Sequence, residues 1–178
     1  MTHTLLGYGD DFDANRGYLT QEGFGVFMEN KYGKPNSPNY SVPIHKVMRY
    51  LSNSGFYIPL SKLVDPQSTG LYFRPLMRNQ EDYTIQWLSY LEAGSFVTYL
   101  IEQYGLDKFE KIYNKKNMEK LIEENYKKNI EELEKDWVSH ITKNYTELTT
   151  EEKIKIKGFF TVESSLHKID PSTFKKGN

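Results

Sequence analysis

Apolar residues recur at helical spacing along most of this chain, and nowhere does a segment of useful length alternate with the period of two that marks a strand. The strongest stretch runs from Tyr83 to Tyr104. Trp87, Tyr90, Leu91, Gly94, Val97, Ile101 and Tyr104 follow one face, and Leu88, Phe96 and Leu100 widen it. A helix apolar over so much of its circumference belongs at the centre of a core, and Gly105 is placed to end it. Upstream, Leu19, Phe24, Val26, Phe27 and Met28 predict an amphipathic helix over Tyr18 to Glu29. Ile44, Val47, Met48 and Leu51 predict another, opened by Pro43 and stopped by Asn53 to Gly55. Downstream the pattern returns in Leu106, Phe109, Ile112 and Tyr113, in Met118, Leu121, Ile122 and Tyr126, and in Ile130, Leu133, Trp137 and Ile141. Asn129 with Glu132, and Thr149 with Glu152, have the spacing of capping boxes. The expectation is an all-α fold of about six or seven helices built around Tyr83 to Tyr104.

Between these periodic segments lie polar loops at Asp10 to Gly17 and Tyr32 to Ser41, and a short helix or turn at Pro59 to Val64. Asp65 to Gln80 carries Pro66, Gly70 and Pro75 and has no period. A stretch of that length is often functional or a covering loop. Gly23 and Gly25 cost helix propensity and suit a close helix crossing. Glu131, Glu132, Glu134, Lys135 and Asp136 read as the solvated face of their helix. His45 reads as a surface or satisfied histidine, and Glu92 and Glu102 suggest no role. Residues 161–178 read as a loosely attached tail behind a helical domain spanning 1–160.

Composition narrows the picture. The 178 residues make one domain or the larger part of one. The hydrophobic share of 38 % is low, but fourteen tyrosines and ten phenylalanines bring large buried areas per residue. A net charge of −1, from 23 basic and 24 acidic residues, gives no overall steering toward nucleic acid. Without cysteine there is no disulfide framework, thiol nucleophile or cysteine metal site. No apolar run is long enough for a transmembrane span, and no signal peptide is visible.

The candidate chemistry lies near the start. His3 and Glu22 have eighteen residues between them. Zinc in a hydrolase takes three protein ligands and leaves a fourth position for water. Three blocks carry a likeness: His-Thr-Leu-Leu-Gly from His3, Leu-Thr-Gln-Glu-Gly-Phe-Gly-Val-Phe over Leu19 to Phe27, and Tyr-Leu-Glu-Ala-Gly-Ser-Phe-Val-Thr-Tyr-Leu-Ile-Glu-Gln-Tyr-Gly over Tyr90 to Gly105. In their order and spacing they resemble the peptidase-MA-like branch of the gluzincin zinc metallopeptidases. Glu131 to Trp137 is similar to that family's closing helix.

The resemblance implies that His3 and Glu22 are two of three zinc ligands, with Met1-Thr2-His3 the last letters of an H-E-x-x-H motif. It implies that Tyr90 is the catalytic hydrogen-bond donor to the tetrahedral intermediate. The first histidine and the glutamate base would then precede Met1, and the chain would be the helical C-terminal lobe of a peptidase, N-terminally truncated. Zinc would belong to the intact parent and be absent or weakly bound here. The partner implied is a peptide or protein substrate of that parent. Self-association through an exposed face carrying Leu5, Leu6 and the Glu22 helix is a further expectation. An extracytoplasmic parent is implied by the resemblance alone. The other reading is a non-catalytic helical binding module on a degenerate peptidase scaffold.

Overall fold

The computed structural model describes residues 17–33, 42–156 and 159–175. Among the described residues ten α-helices follow one another: α1 (Tyr18–Tyr32), α2 (Ile44–Asn53), α3 (Leu60–Val64), α4 (Thr69–Phe73), α5 (Gln80–Tyr104), α6 (Leu106–Glu110), α7 (Met118–Tyr126), α8 (Ile130–Asn144), α9 (Thr150–Lys155) and α10 (Phe159–Leu166). A 3₁₀ turn, Pro171–Thr173, comes after them, and no strand occurs among the described residues. The architecture is all-α, as the apolar spacing predicts. The described helices outnumber the six or seven expected because Pro59 to Val64 resolves into a helix, α3, and because α4 and α10 lie in stretches read as aperiodic and as tail.

Helix α5 spans 25 residues, about 37 Å at 1.5 Å per residue. Every residue from Leu91 to Leu100 is buried, because α1, α2, α4, α6, α8 and α10 all pack against it. It begins three residues before its apolar stripe. Asn79 Oδ1 accepts the Asp82 N–H at 2.9 Å, and Asp82 in turn accepts the Arg78 N–H at 2.8 Å. The polar pair caps a turn that hydrophobic spacing does not reveal. At the other end Gly105 takes φ +88° while its N–H reaches the Ile101 carbonyl at 2.9 Å, a conformation a side chain would strain.

The packing of α1 on α5 is unusually close. A Cβ on Gly23 would fall 2.6 Å from the Ala93 carbonyl oxygen and 2.6 Å from Val97 Cγ2. A Cβ on Gly94 would overlap Val26 and approach Ile44 Cδ1 to 2.9 Å. The tight crossing read from Gly23 is therefore present, and Gly94 is its counterpart on α5. Since Glu22 precedes Gly23, the crossing brings its carboxylate against α5.

Two carboxylates hold the non-helical segment between α2 and α3. Glu92 Oε2 accepts the Ile58 N–H at 3.0 Å, and Glu134 Oε2 accepts the Leu60 N–H at 2.6 Å. Glu92 is fully buried and Glu134 is 2 % exposed. Burial pushes the Glu92 carboxyl well above its ordinary range; the Ile58 N–H opposes this and the Glu134 charge adds to it. The placement of Glu134 corrects its reading as part of a solvated face. Helix α8 buries Ile130, Leu133, Glu134, Trp137 and Ile141, a single helical stripe in which Glu134 occupies a slot normally apolar. Its second oxygen is bonded by Lys175 Nζ.

Residues 162–175 are likewise not loosely attached. Val162, Leu166 and Ile169 are buried, and the last two belong to the main core. Lys175 N–H bonds the Tyr57 carbonyl at 2.9 Å, Lys62 Nζ bonds the Ser172 carbonyl at 2.7 Å, and the Phe56 ring meets those of His167 and Phe174 at 4.8 and 5.4 Å. These three positions stand at i, i+4 and i+7, the spacing of a helix stripe that the reading as a tail passed over. Together they suffice to cap the end of the core.

Candidate functional site

Glu22 on α1 and Tyr90 on α5, 68 residues apart in sequence, meet at the α1–α5 crossing. The Tyr90 hydroxyl donates to Glu22 Oε1 at 3.0 Å. A third residue joins them. Arg74, just past α4, donates from Nη2 to Glu22 Oε1, and from Nη1 to the Tyr90 hydroxyl oxygen and to the Phe73 carbonyl at 2.8 Å. The guanidinium carbon also lies 5.0 Å from the Tyr18 ring centre and 5.9 Å from that of Tyr90, within the range of cation–π attraction. Phe73 stacks on Tyr90 at 5.9 Å, and its carbonyl also accepts Gln86 Nε2 at 3.0 Å. The cluster is thus held from α1, α4 and α5, helices that pack on one another.

Exposure within it is graded. The Glu22 side chain is 10 % exposed and that of Arg74 40 %, so the carboxylate sits inside and its counter-ion closes the mouth. Burial raises the Tyr90 pKa, and the Glu22 charge adds to this against the pull of Arg74. The hydroxyl therefore keeps its proton and serves as a donor. For Arg74, burial is the largest single influence and works against the charge, but the hydrogen bond and charge of Glu22 and the contacts with Tyr90 together outweigh it, and the pKa rises. A fixed phenol donor beside an ion pair can stabilise negative charge developing within reach of it.

Of the residues proposed from sequence, Glu22 and Tyr90 are brought into contact. His3, Leu5 and Leu6 lie outside the described residues. The fit to zinc at Glu22 is poor on what is described: one carboxylate is present, and a guanidinium already neutralises it where a ligand carboxylate would face a cation. Arg74 was not foreseen. It is one of two arginines in the Asp65 to Gln80 stretch, which sequence marked as a functional or covering segment without saying which residue mattered.

Comparison of the chain with family models, curated proteins and solved structures finds no match. None of the described helices is long and apolar enough to cross a membrane.

A second group of polar side chains gathers on the far part of α5. His45 of α2, Glu102 of α5 and His140 of α8 place one ligand atom each within 4.8 Å of one another. His45 is 2 % exposed, so it is no surface histidine. Its Nδ1 is bonded to Ser95 Oγ at 2.8 Å, while its Nε2 has no hydrogen-bond partner.

Proposed function

We propose that this chain is the C-terminal helical part of a zinc-dependent peptidase of the gluzincin type, and that by itself it hydrolyses nothing. The observation that carries the reading is the Tyr90–Glu22 contact. Two residues singled out by separate sequence blocks, one as a ligand and one as a donor to the intermediate, share a hydrogen bond at a helix crossing. In the intact site zinc would polarise the substrate carbonyl and activate water. The part assigned to the described residues is narrower. Glu22 presents a carboxylate held in place by its helix crossing. Tyr90 keeps its proton and, on turning from Glu22, would offer its O–H as a hydrogen bond to negative charge forming on a peptide carbonyl oxygen. Arg74 balances Glu22 and, through its bond to the hydroxyl oxygen, fixes the direction of the Tyr90 O–H.

The engagement of Glu22 by Arg74 favours a second reading, a binding module in which an internal ion pair stands where the metal would be in a peptidase. One experiment separates the two. The residues encoded in frame before the Met1 codon are determined, and the chain is produced with them joined. A His-Glu pair directly ahead of Met1, with peptide hydrolysis that a chelator and Glu22→Ala abolish and Tyr90→Phe lowers by about 10²-fold or more, supports the peptidase. A stop codon or unrelated sequence there, or no hydrolysis by the longer chain, refutes it in favour of the binding module.

A further inference from the structure

We propose that His45, Glu102 and His140 form a binding site for a divalent transition-metal ion, with zinc the best-matched occupant. The proposal is independent of the peptidase reading, since it uses none of the residues at Glu22.

Three observations carry it. First, two imidazole nitrogens are orphaned together. His45 Nε2 and His140 Nε2 are both buried without a hydrogen-bond partner, an arrangement that costs free energy unless something else fills the role. The two rings stand 5.8 Å apart. Glu102 Oε2 lies 3.7 Å from His45 Nε2, beyond hydrogen-bond length. Protonating His45 would pair it with Glu102 but leave His140 Nε2 without a partner. One cation in the middle serves all three groups.

Second, the His45 ring is oriented from behind. Ser95 Oγ, on α5, contacts His45 Nδ1 at 2.8 Å and accepts the Trp137 Nε1–H at 3.1 Å. With Nδ1–H donated to Ser95, the Nε2 lone pair faces the gap, which is how protein groups behind a metal-bound histidine set its tautomer. His140 is also fixed from behind: its Nδ1 lies 3.2 Å from the Asn144 side-chain amide nitrogen, which donates to the His140 carbonyl at 2.8 Å. Burial, with the neighbouring His45, also lowers the His140 pKa, favouring the neutral form that ligates.

Third, the site is dry on one side and open on the other. The Tyr145 ring lies 4.8 Å from that of His45 and the Tyr99 ring 5.3 Å from that of His140, while the Glu102 side chain is 48 % exposed. Zinc bonds near 2.0–2.1 Å would bring ligand atoms to about 3.3 Å from one another. Glu102, near the exposed end of α5, is free to supply that closure. Two imidazoles and one carboxylate suit zinc and its neighbours, whereas calcium and magnesium prefer all-oxygen sets. Three protein ligands leave a fourth position for water on the solvent side.

The test uses the whole 178-residue chain carrying Glu22→Ala, which eliminates zinc held at Glu22. Calorimetric titration with Zn2+ should give one saturable site. Co2+ should give the visible absorption of a four- or five-coordinate ion. Tm should rise by about 5 °C at a hundredfold excess of Zn2+ over Kd. Glu102→Gln and His140→Gln, both outside the innermost core, should each weaken zinc at least tenfold and bleach the Co2+ spectrum. Circular dichroism shows whether each variant remains folded, and a misfolded one is replaced by Glu102→Ala or His140→Asn. Absence of saturable uptake, or uptake left unchanged by both folded variants, overturns the site.

Discussion

Arg74 is the residue whose removal should tell most about the Glu22 cluster. Arg74→Met keeps much of the stem that covers Tyr18 and Tyr90 but leaves a largely buried carboxylate without its cation. Because the arginine is 40 % exposed, water compensates part of the loss, and the expected cost is about 1–2 kcal/mol. Glu22→Gln alone should also destabilise. Combined with Arg74→Met it should cost clearly less than the sum, since the double variant buries no unpaired charge. Additive denaturation energies would show that the two side chains do not act as a pair. Glu92 gives a different signature. Its pKa is raised by burial above the ordinary 4.5, so the native chain holds a proton that the unfolded chain releases. Its contribution is fully present below about pH 4.5 and is lost as pH rises through the native value. Relative to wild type, Glu92→Gln should gain Tm progressively from pH 5 to pH 8. A Tm difference constant across that range would contradict this assignment. At this scale patterned blocks drew attention to Glu22 and Tyr90, which the structure brings into contact. The roles of Arg74, His45 and Glu134 were not legible, because they depend on partners 16 to 95 residues away in sequence, such as Tyr90, Ser95, His140, Glu22 and Leu60.

Helices α5 and α1 behave as a unit because glycine on each lets their backbones meet. Gly94→Val should test that contact. The new side chain would collide with Val26 and Ile44, each anchored on its own helix, so the helices must separate. A destabilisation of about 3 kcal/mol is expected, at the upper end of overpacking costs. Tyr90 and Glu22 should lose their contact at the same time. A variant of wild-type stability would mean that the crossing has slack. Most elements were legible. The capping boxes at Asn129 and Thr149 are both formed reciprocally, and the long apolar stripe gave α5 its central position. What the pattern did not give were the five-residue α4, the α10 turn read as tail, and the extra first turn of α5. Five- or six-residue turns are too brief to show a period, and caps such as Asn79 depend on a single hydrogen bond.

The molecule as a whole is closed by residues far apart in sequence. Leu166, fully buried, anchors the C-terminal segment to the same core that α5 organises. Leu166→Ala should cost about 2–5 kcal/mol in chemical denaturation, with one cooperative transition. A loss below about 0.5 kcal/mol would fit the loose tail read from sequence instead. The segment's attachment also bears on how the protein is made. Glu134 is seated in the core with Leu60 N–H on one oxygen and the Lys175 ammonium on the other. During vectorial synthesis the carboxylate emerges some forty residues ahead of its cation. Until Lys175 arrives, burial of α8 carries an uncompensated charge. The native core should therefore close only after Lys175 has emerged. Ribosome-bound chains arrested with residue 160 outside the exit tunnel should be cut readily by protease between α2 and α3, and chains arrested with residue 175 well outside it should resist. Equal resistance at both lengths would show that the core closes without the Lys175 bond.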